Sequence, residues 1–215
     1  MNRYATLTPM ITRKLLVICL LTGLHLPSVL AEPREVRLYE YEGKVKIWRN
    51  GQPVKIERDE TPLKAGDTVV TSSEGSAALI FYDFGGCRLS ADTQVVLESP
   101  SKSFIRMRLE SGQVLYSIKR PPSDAVFELK TWLVTAQAKG TQFLGRIRME
   151  PREIHTFSLL LGSLTVNLKE SGTSLSLVPG TSADIEKGTY TPPVREHSEE
   201  ERADLKTANS IITRV

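Results

Sequence analysis

Short runs of alternating polar and apolar residues cover most of the chain from residue 44 onward. Lys44–Arg49 alternates in this way, and Gln52–Glu57 repeats the alternation after Asn50-Gly51. Asn-Gly between two alternating runs is a strong hairpin signal, because both residues accept positive φ. The pattern therefore predicts a hairpin that carries four aliphatic side chains on one face: Val45, Ile47, Val54 and Ile56.

The alternation continues in short runs separated by clusters of Gly, Pro, Asp and Ser, which is typical of strands joined by turns. No amphipathic helical pattern interrupts these runs, which argues against α/β folds that need helical crossovers. The further predicted strands are Val69–Thr71, Ala77–Phe81, Val95–Leu97, Phe104–Leu109, Gln113–Ser117, Val126–Lys130, Trp132–Ala136, Gln142–Arg148, Ile154–Leu161, Leu164–Leu168 and Leu175–Val178.

The sequence Leu-x-x-Gly occurs four times, ending at Gly66, Gly112, Gly162 and Gly180. Glycine tolerates positive φ, so each of these glycines is a natural corner between two short strands. The recurrence is too irregular in period for a strict solenoid. We therefore predict an all-β fold of short strands, either an irregular β-solenoid or a two-layer β-sandwich, with a short C-terminal helix.

The end of the chain changes character after Thr191-Pro-Pro193. Ser198-Glu-Glu-Glu201 has the form of a capping box and predicts a polar, solvent-facing helix from Ser198 to about Ala208. An isolated helix of this length is marginal in water. We expect residues 189–215 to be either a docked appendage or a partly disordered linker.

Several short motifs, taken in order, resemble the FecR domain, a β-rich periplasmic module. The resemblance runs from about Gly43 to about Ala183, and it departs from the family at Phe84-Gly85-Gly86-Cys87, where an altered turn is expected. The matching motifs are Glu42–Val45, Leu63–Thr71, Gly75–Phe81, Leu89–Thr93, Leu109–Gly112, Lys139–Phe143, Leu161–Val166 and Leu177–Gly180.

This resemblance implies a role in envelope signalling, because the founding members are membrane-spanning regulators that control a sigma factor. It implies that the motif residues build a scaffold and not a reaction centre. In Lys139-Gly140-Thr141-Gln142-Phe143, Gly140 is expected to turn the chain and Phe143 to return it to the core. The structural motif residues are Gly66, Gly112, Gly140, Thr141, Phe143, Gly162 and Gly180.

The N-terminus has the features of a secretory signal. Arg3, Arg13 and Lys14 precede the apolar run Leu15–Leu26, and Val29-Leu30-Ala31 offers a small-residue cleavage site. We predict a signal peptide over residues 1–31, a FecR-like β domain over 32–188, and a periplasmic or secreted protein. The alternative is an uncleaved segment that anchors the chain as a membrane regulator. About 14 residues precede the apolar run, too few for a cytoplasmic sigma-binding domain.

The charge of the chain belongs to its N-terminus. The chain has 28 basic residues, and removing the three within residues 1–31 leaves 25, equal to the 25 acidic residues. Nucleic-acid binding usually needs a basic face, so a nucleic acid is not an expected partner. The expected partner is an envelope protein or polysaccharide.

No catalytic, cofactor or metal site is predicted. His155 is expected on a sheet surface and His197 in the polar linker, and neither has ligands at metal-binding spacing. The carboxylates near the turns at Asp83 and Asp92 fit ordinary turn chemistry better than glycosidic catalysis. Cys87 is interpreted as a small buried hydrophobe, with an intermolecular disulfide or reactive thiol as the alternative.

One constellation could bind an anion. Phe104–Leu109 and Gly145–Met149 alternate arginine with apolar residues, which predicts that Arg106, Arg108, Arg146 and Arg148 project away from the core. If the two strands are neighbours, four guanidinium groups would form a ladder for carboxylates or phosphates. The alternative is a solvated strand face whose charges discourage edge pairing.

The sequence favours a non-enzymatic interaction module in envelope signalling or assembly. The second hypothesis is a protein that binds carbohydrate or anionic envelope polymer through the arginine ladder and four aromatic side chains, Trp48, Tyr82, Trp132 and Tyr190. These hypotheses differ in whether the aromatics line one exposed groove or fill the core. An enzyme acting on envelope glycans would need two carboxylates converging in a cleft.

Overall fold

The computed structural model describes residues 36–57, 60–82, 85–119 and 123–212, with the backbone alone over 207–212. Fifteen strands and one helix lie in these ranges. They are β1 Val36–Glu42, β2 Val45–Arg49, β3 Gln52–Val54, β4 Thr61–Pro62, β5 Thr68–Thr71, β6 Ser76–Phe81, β7 Gly85–Leu89, β8 Gln94–Ser101, β9 Phe104–Ile118, β10 Val126–Lys130, β11 Val134–Arg148, β12 Ile154–Leu168, β13 Ser174–Leu177, β14 Thr181–Ile185, β15 Val194–Glu196 and α1 Glu199–Ile212.

All strands belong to one continuous, open sheet that divides into two half-sheets. The first half-sheet has the order β3-β2-β5-β8-β9-β10-β11-β12-β13 and uses the N-terminal parts of β9 and β11 with the C-terminal part of β12. The second has the order β4-β1-β6-β7-β9-β11-β12-β14-β15 and uses the remaining parts of those three strands. Every pairing is antiparallel except that of β9 with β10. The expected all-β class with a C-terminal helix is confirmed.

The three long strands β9, β11 and β12 bend from one half-sheet into the other. Each has a positive-φ glycine at its bend: Gly112 at 81°, Gly140 at 56° and Gly162 at 89°. In β9 the inward-facing residues change from odd positions before the bend to even positions after it, as Met107 and Tyr116 show. Such a change is what an extra bulge residue produces. The bend therefore keeps the apolar side of each strand on the core in both half-sheets.

The core lies between the two half-sheets. Phe81 of the second half-sheet and Phe127 of the first stack with ring centroids 6.3 Å apart. Tyr116 and Phe143 stack at 4.7 Å with nearly parallel rings. All four side chains are buried, so aromatic packing joins the two half-sheets from inside.

Helix α1 covers the outer face of the second half-sheet. Leu205, which is 2% exposed, packs against Leu115, Leu144 and Leu160. Of the two expectations for this segment, the docked appendage is the one observed, and the helix is longer than predicted. The prediction of a solvent-facing helix is only partly correct, because one side of the first two turns of α1 is buried against the sheet.

The predicted capping box is present at the start of α1. The amide of Glu201 donates to Ser198 Oγ at 3.2 Å, and the amide of Ser198 donates to Glu201 Oε2 at 2.7 Å. Glu201 also accepts two hydrogen bonds from Arg195 and one from Ser182. Burial alone raises the pKa of Glu201, but the hydrogen bonds from Arg195 and the Ser198 amide lower it to about 2. The helix start is therefore fixed to β14 and β15.

The predicted strand positions are mostly correct, but several strands predicted as separate are continuous in the structure. Phe104–Leu109 and Gln113–Ser117 form one strand through the bend at Gly112, and β11 and β12 likewise unite two predicted runs each. An altered turn is expected at Phe84-Gly85-Gly86-Cys87; Phe84 lies outside the described residues, and Gly85 to Cys87 belong to strand β7. A Cβ on Gly86 would lie 2.3 Å from the carbonyl oxygen of Leu79, so glycine is present there for close strand approach.

Candidate binding surfaces

Arg106 lies on the outer face of the first half-sheet and is ion-paired within the chain. It faces Glu128 in the parallel register of β9 and β10 and forms a salt bridge with it. Gln137 Nε2 donates to the other oxygen of Glu128 at 3.2 Å. Glu128 is 5% exposed, so Arg106 neutralises a buried carboxylate.

Arg108 is engaged in the same way one step along the strand. Its Nε donates to Glu98 Oε1 at 2.9 Å, while Lys130 Nζ donates to Glu98 Oε2 at 3.1 Å. Arg108 also forms a salt bridge with Glu110. Burial raises the pKa of Glu98, but the hydrogen bonds from Lys130 and Arg108 lower it overall. This part of the outer face is therefore internally paired.

The other two predicted arginines lie on the second half-sheet. Arg146 forms a salt bridge with Asp204 of α1 and lies 3.0 Å from the carboxylate of Glu200. Arg148 is exposed near the end of β11. Strands β9 and β11 are neighbours as the ladder hypothesis requires, but they pair only beyond Gly112 and Gly140.

The four guanidinium groups therefore do not form one ladder. Sequence alternation placed them correctly outside the core, but it could not show that the strands bend between the two pairs. Arg146 faces the helix, and its register partner on β9 is Gln113. Charge reversal at Arg106 or Arg146 would leave carboxylates unpaired, so these residues contribute to folding.

The four candidate aromatics do not share one groove. Tyr82 donates a hydrogen bond to the carbonyl oxygen of Pro100 and packs against the core. Trp132 packs edge-on against His155 at 5.3 Å, whereas Tyr190 is 63% exposed in a turn. Trp48, 37% exposed, borders a separate groove beside β2 and β3.

This groove follows a strand edge that is unpaired in its middle. The chain runs from β1 through a bend at Gly43 into β2, and β5 and β6 pair with one side of it. On the other side, β4 pairs with Arg37 and Leu38, and β3 pairs with Ile47 to Arg49. The eight residues Tyr39–Lys46 between them have no strand partner on that side among the described residues.

The groove is apolar with basic borders and has a volume of about 510 Å³. We call it the edge groove. Val45, Val54 and Ile56 are partly buried and continuous with the main core. The lining residues are Tyr41, Gly43, Lys44, Val45, Lys46, Ile47, Trp48, Pro53, Val54 and Ile56. The predicted alignment of Val45, Ile47, Val54 and Ile56 agrees with this shared surface.

His155 is buried, which corrects the predicted surface position. Alternation placed it opposite Ile154, but the Ile154 face is the outer one and His155 points between the half-sheets. Its Nδ1 lies 2.7 Å from Thr131 Oγ1 and its Nε2 lies 2.9 Å from Glu153 Oε1. Burial lowers its pKa, partly opposed by Glu153. The histidine has a complete set of structural partners.

His197 and Cys87 also have structural environments. His197 is 6% exposed, and its Nε2 lies 3.0 Å from the carbonyl oxygen of Thr181, so it is not in an open linker. Cys87 is 1% exposed, and its thiol contacts Met107 Sδ at 4.0 Å. Burial raises the pKa of Cys87. The interpretation of Cys87 as a small hydrophobe is confirmed.

The predicted motif glycines have the expected geometry and fall into two groups. Gly112 and Gly162 would bring a Cβ within 2.6 Å of neighbouring backbone atoms, whereas Gly66 and Gly180 face open space. All four have positive φ. Thr141 supports the bend at Gly140, because its hydroxyl lies 2.8 Å from Lys139 O and 2.9 Å from Ser163 O.

The catalytic alternatives receive no support from the described residues. Asp92 has a φ of 51° in a turn, and Asp83 lies outside the described residues. Within the described ranges, no three His, Cys, Asp or Glu side chains are grouped to hold a metal ion. No helix in those ranges combines the length and hydropathy that a membrane span requires.

Comparison with known proteins agrees with the fold. Residues 67–164 match the family model described as FecR protein. Two crystal structures assigned as anti-sigma factors from Parabacteroides distasonis are similar in fold. The 2.50 Å structure has 13% identity and a TM-score of 0.53 over 63% of this chain and 62% of that chain. The 1.65 Å structure has 16% identity and a TM-score of 0.51 over 62% of this chain and 61% of that one. The chain thus spans less than two thirds of either structure, and no curated protein matched it.

Proposed function

We propose that this protein is a non-enzymatic interaction module of envelope signalling, because residues 67–164 match the family model described as FecR protein. It acts in the periplasm or outside the cell, and it binds an envelope protein through the surface of its β domain. The predicted signal peptide supports this location. The anti-sigma assignment of the structural neighbours supports a regulatory context.

The observation that carries the binding role is the edge groove. Its floor is apolar and its strand edge is unpaired. On the outer sheet faces, in contrast, the charged side chains are largely paired within the chain. Unpaired strand edges are surfaces that proteins normally cover, because they recruit other chains. An apolar groove beside a strand edge without a described strand partner, bordered by exposed aromatic side chains, is therefore the best-suited binding surface of the described residues.

Binding of an anionic envelope polymer is the weaker proposal. Three of its four predicted arginines form ion pairs within the chain. An incoming anion would have to replace those partners, and Glu128 would then be left buried without its cation. We expect little retention of this protein on an anionic polymer at physiological salt.

The function is tested by comparing cells with and without the gene, and by affinity capture from their envelope fractions. We expect the loss of the protein to change transcripts that depend on an envelope-responsive sigma factor. We also expect one envelope protein to be retained in proportion to the bait and competed by untagged protein. An unchanged transcript profile without a competable partner would overturn the proposal, as would turnover of an envelope glycan by the purified protein.

A further inference from the structure

We propose that the turn between β10 and β11 carries a binding site for a neutral glycan, with the indole ring of Trp132 as its stacking platform. This site shares no residue with the edge groove and does not depend on it. A sugar ring presents an apolar face of C–H groups and a rim of hydroxyls. A site for it therefore needs an exposed aromatic face with hydrogen-bonding groups beside it.

Trp132 is exposed but held in one orientation. It is 46% exposed, and its Nε1 donates a hydrogen bond to Glu153 Oε1. Its ring is perpendicular to that of His155, with the two ring centroids 5.3 Å apart, so His155 can cover only one face of the indole. A side chain that is already fixed loses little entropy on binding. The ring is therefore suited to stacking on a ligand.

The groups that hold Trp132 are anchored in the interior. His155 is buried, and its Nε2 lies 2.9 Å from the same Glu153 oxygen that accepts from Trp132. The other ring nitrogen of His155, Nδ1, lies 2.7 Å from Oγ1 of Thr131, which is also buried. Since Thr131 directly precedes Trp132, the indole is tied to the interior through its backbone and through its own N–H.

A second strand end supports the same turn. Lys169, which directly follows β12, donates from its amide to Leu133 O at 2.9 Å and from Nζ to Thr131 O at 2.6 Å. These two bonds hold the backbone on both sides of Trp132. The platform is therefore preformed before a ligand arrives.

Two polar groups beside the indole can still bind a ligand. Both described hydrogen bonds of Glu153 use Oε1, and its side chain is 29% exposed, which leaves Oε2 as an acceptor. Lys169 Nζ carries three hydrogens, and Thr131 O accepts one of them. An acceptor and a donor therefore lie near the ring. A sugar hydroxyl can serve both, because it donates and accepts.

The charges around this turn favour an uncharged ligand. Arg152 lies 3.3 Å from the carboxylate of Glu186, and the Gly188 amide donates to Glu170 at 3.1 Å. With Lys169 and Glu153, these groups place cations and anions side by side at one end of the domain. A ligand of one strong charge would be attracted by some of them and repelled by others. Hydroxyl groups are compatible with both signs.

A protein partner is a less suitable occupant of this site. Tryptophans that dominate protein interfaces lie at the desolvated centre of a contact. The surroundings of Trp132 are charged and solvated, with the side chains of Arg152 and Glu186 69% and 36% exposed. Such a rim would have to be desolvated at a cost by a protein surface, whereas a glycan retains much of the water around it.

The test is an NMR titration of the purified protein with neutral trisaccharides of glucose, mannose, galactose and N-acetylglucosamine. The chain has two tryptophans, Trp48 and Trp132, so each gives its own indole N–H signal, assigned with Trp48→Phe. We expect at least one sugar to shift the Trp132 signal saturably with a Kd of about 1 mM, while the Trp48 signal stays in place. The Kd should be insensitive to salt, because no ion pair forms.

Variants at the two tryptophans give the matched control, with binding followed by backbone amide shifts. Trp132→Ala should weaken binding of that trisaccharide about tenfold, and Trp132→Phe, which keeps a smaller aromatic face, should weaken it less. Trp48→Ala, at the other partly exposed tryptophan, should change the affinity by less than about twofold.

The wild-type titration alone can reject the site. No saturable shift of the Trp132 signal with any of the four sugars at about 20 mM, or an equal shift of Trp48, would overturn the proposal. Equal losses from the two alanine variants would overturn it as well. None of these outcomes touches the proposed signalling function, which is tested by transcripts and by capture of an envelope protein.

Discussion

Two apolar surfaces of this protein differ in whether a helix of the same chain packs on them. On the outer face of the second half-sheet, Leu115 and Leu144 are covered by Leu205 of α1. At the edge groove, Tyr41 and Trp48 remain exposed, and the strand edge beside them has no strand partner among the described residues. The outer face of the second half-sheet thus has a helix packed on it, whereas the edge groove keeps exposed aromatic side chains.

The covered face is fastened by polar groups as well as apolar contact. Arg146 pairs with Asp204 and Glu200, and Glu201 joins Arg195, Ser182 and the helix start. The edge groove has lysines without described carboxylate partners. We therefore expect changes at the helix to affect folding, and changes at the groove to affect binding.

The largest effect is expected from Leu205→Ala. This change removes the apolar contact of α1 and leaves a cavity over Leu115 and Leu144. It should lower the free energy of unfolding by roughly 2–4 kcal/mol, measured by urea denaturation. Lys206→Ala, at the exposed neighbouring position, should change it by less than about 0.5 kcal/mol. Equal effects of the two changes would show that the helix does not depend on this contact.

The next effect is expected from Glu201→Gln, which weakens the polar attachment of the helix. A loss of roughly 1–3 kcal/mol is expected at neutral pH. Its folded pKa of about 2 lies below the usual unfolded value of about 4.3. Its stabilising contribution is therefore present above about pH 4.3 and is lost as the pH falls toward 2.

The measurement is the difference in unfolding free energy between wild type and Glu201→Gln from pH 6 to pH 2.5. This difference should shrink as the pH falls through that range. Glu199→Gln, an exposed residue of the same turn, is the control and should show a small difference. A Glu201→Gln difference that is independent of pH would contradict the role of the carboxylate.

Two glycines near the edge groove test how firmly its strand edge is held. Gly43 and Gly51 both have positive φ, at 63° and 76°, but only Gly43 lies against neighbouring backbone. Alanine strains both positions, and at Gly43 it must also displace the backbone of Glu74. Gly43→Ala should therefore lower the thermal unfolding midpoint more than Gly51→Ala does. The extra loss in free energy of unfolding should be about 1 kcal/mol. Equal midpoints would indicate that the groove edge is loosely held.

The smallest effect on folding is expected from changes in the groove itself. Lys44→Glu with Lys46→Glu should change the free energy of unfolding by less than about 0.5 kcal/mol, because both side chains are exposed. A large loss of stability would mean that these lysines support the fold, and the comparison between the two surfaces would fail.

The sequence predicted the strands and the corners but not how they are arranged. Alternation located the inward residues of β9 on both sides of Gly112, because local periodicity reports which face is buried. It could not show that the strand continues through the bend, since Gly112 there lies close to Asp92 and Thr93, about twenty positions earlier in the sequence. For the same reason Arg106 and Arg146 could not be assigned to different half-sheets.

Burial by distant elements was also beyond the sequence. His155 was predicted to lie on the surface because its neighbour Ile154 is apolar, but His155 shares its side of β12 with the core residues Phe157 and Leu159. Contacts with Thr131 and Trp132, which belong to a distant part of the sequence, complete its buried surroundings. The edge groove had one local signal, the hairpin around Asn50-Gly51. Its unpaired edge depends on where β4 meets β1, a contact between residues more than twenty positions apart.

The central claim is that this protein acts by binding through the edge groove. The most direct measurement is photo-crosslinking in cells, with benzoyl-phenylalanine in place of Tyr41 or, as a control on the outer face of the first half-sheet, in place of Ser176. We predict a crosslinked envelope protein at position 41 only, lost when Lys44 and Lys46 are changed to glutamate. A crosslink at position 176 without one at position 41 would contradict the account.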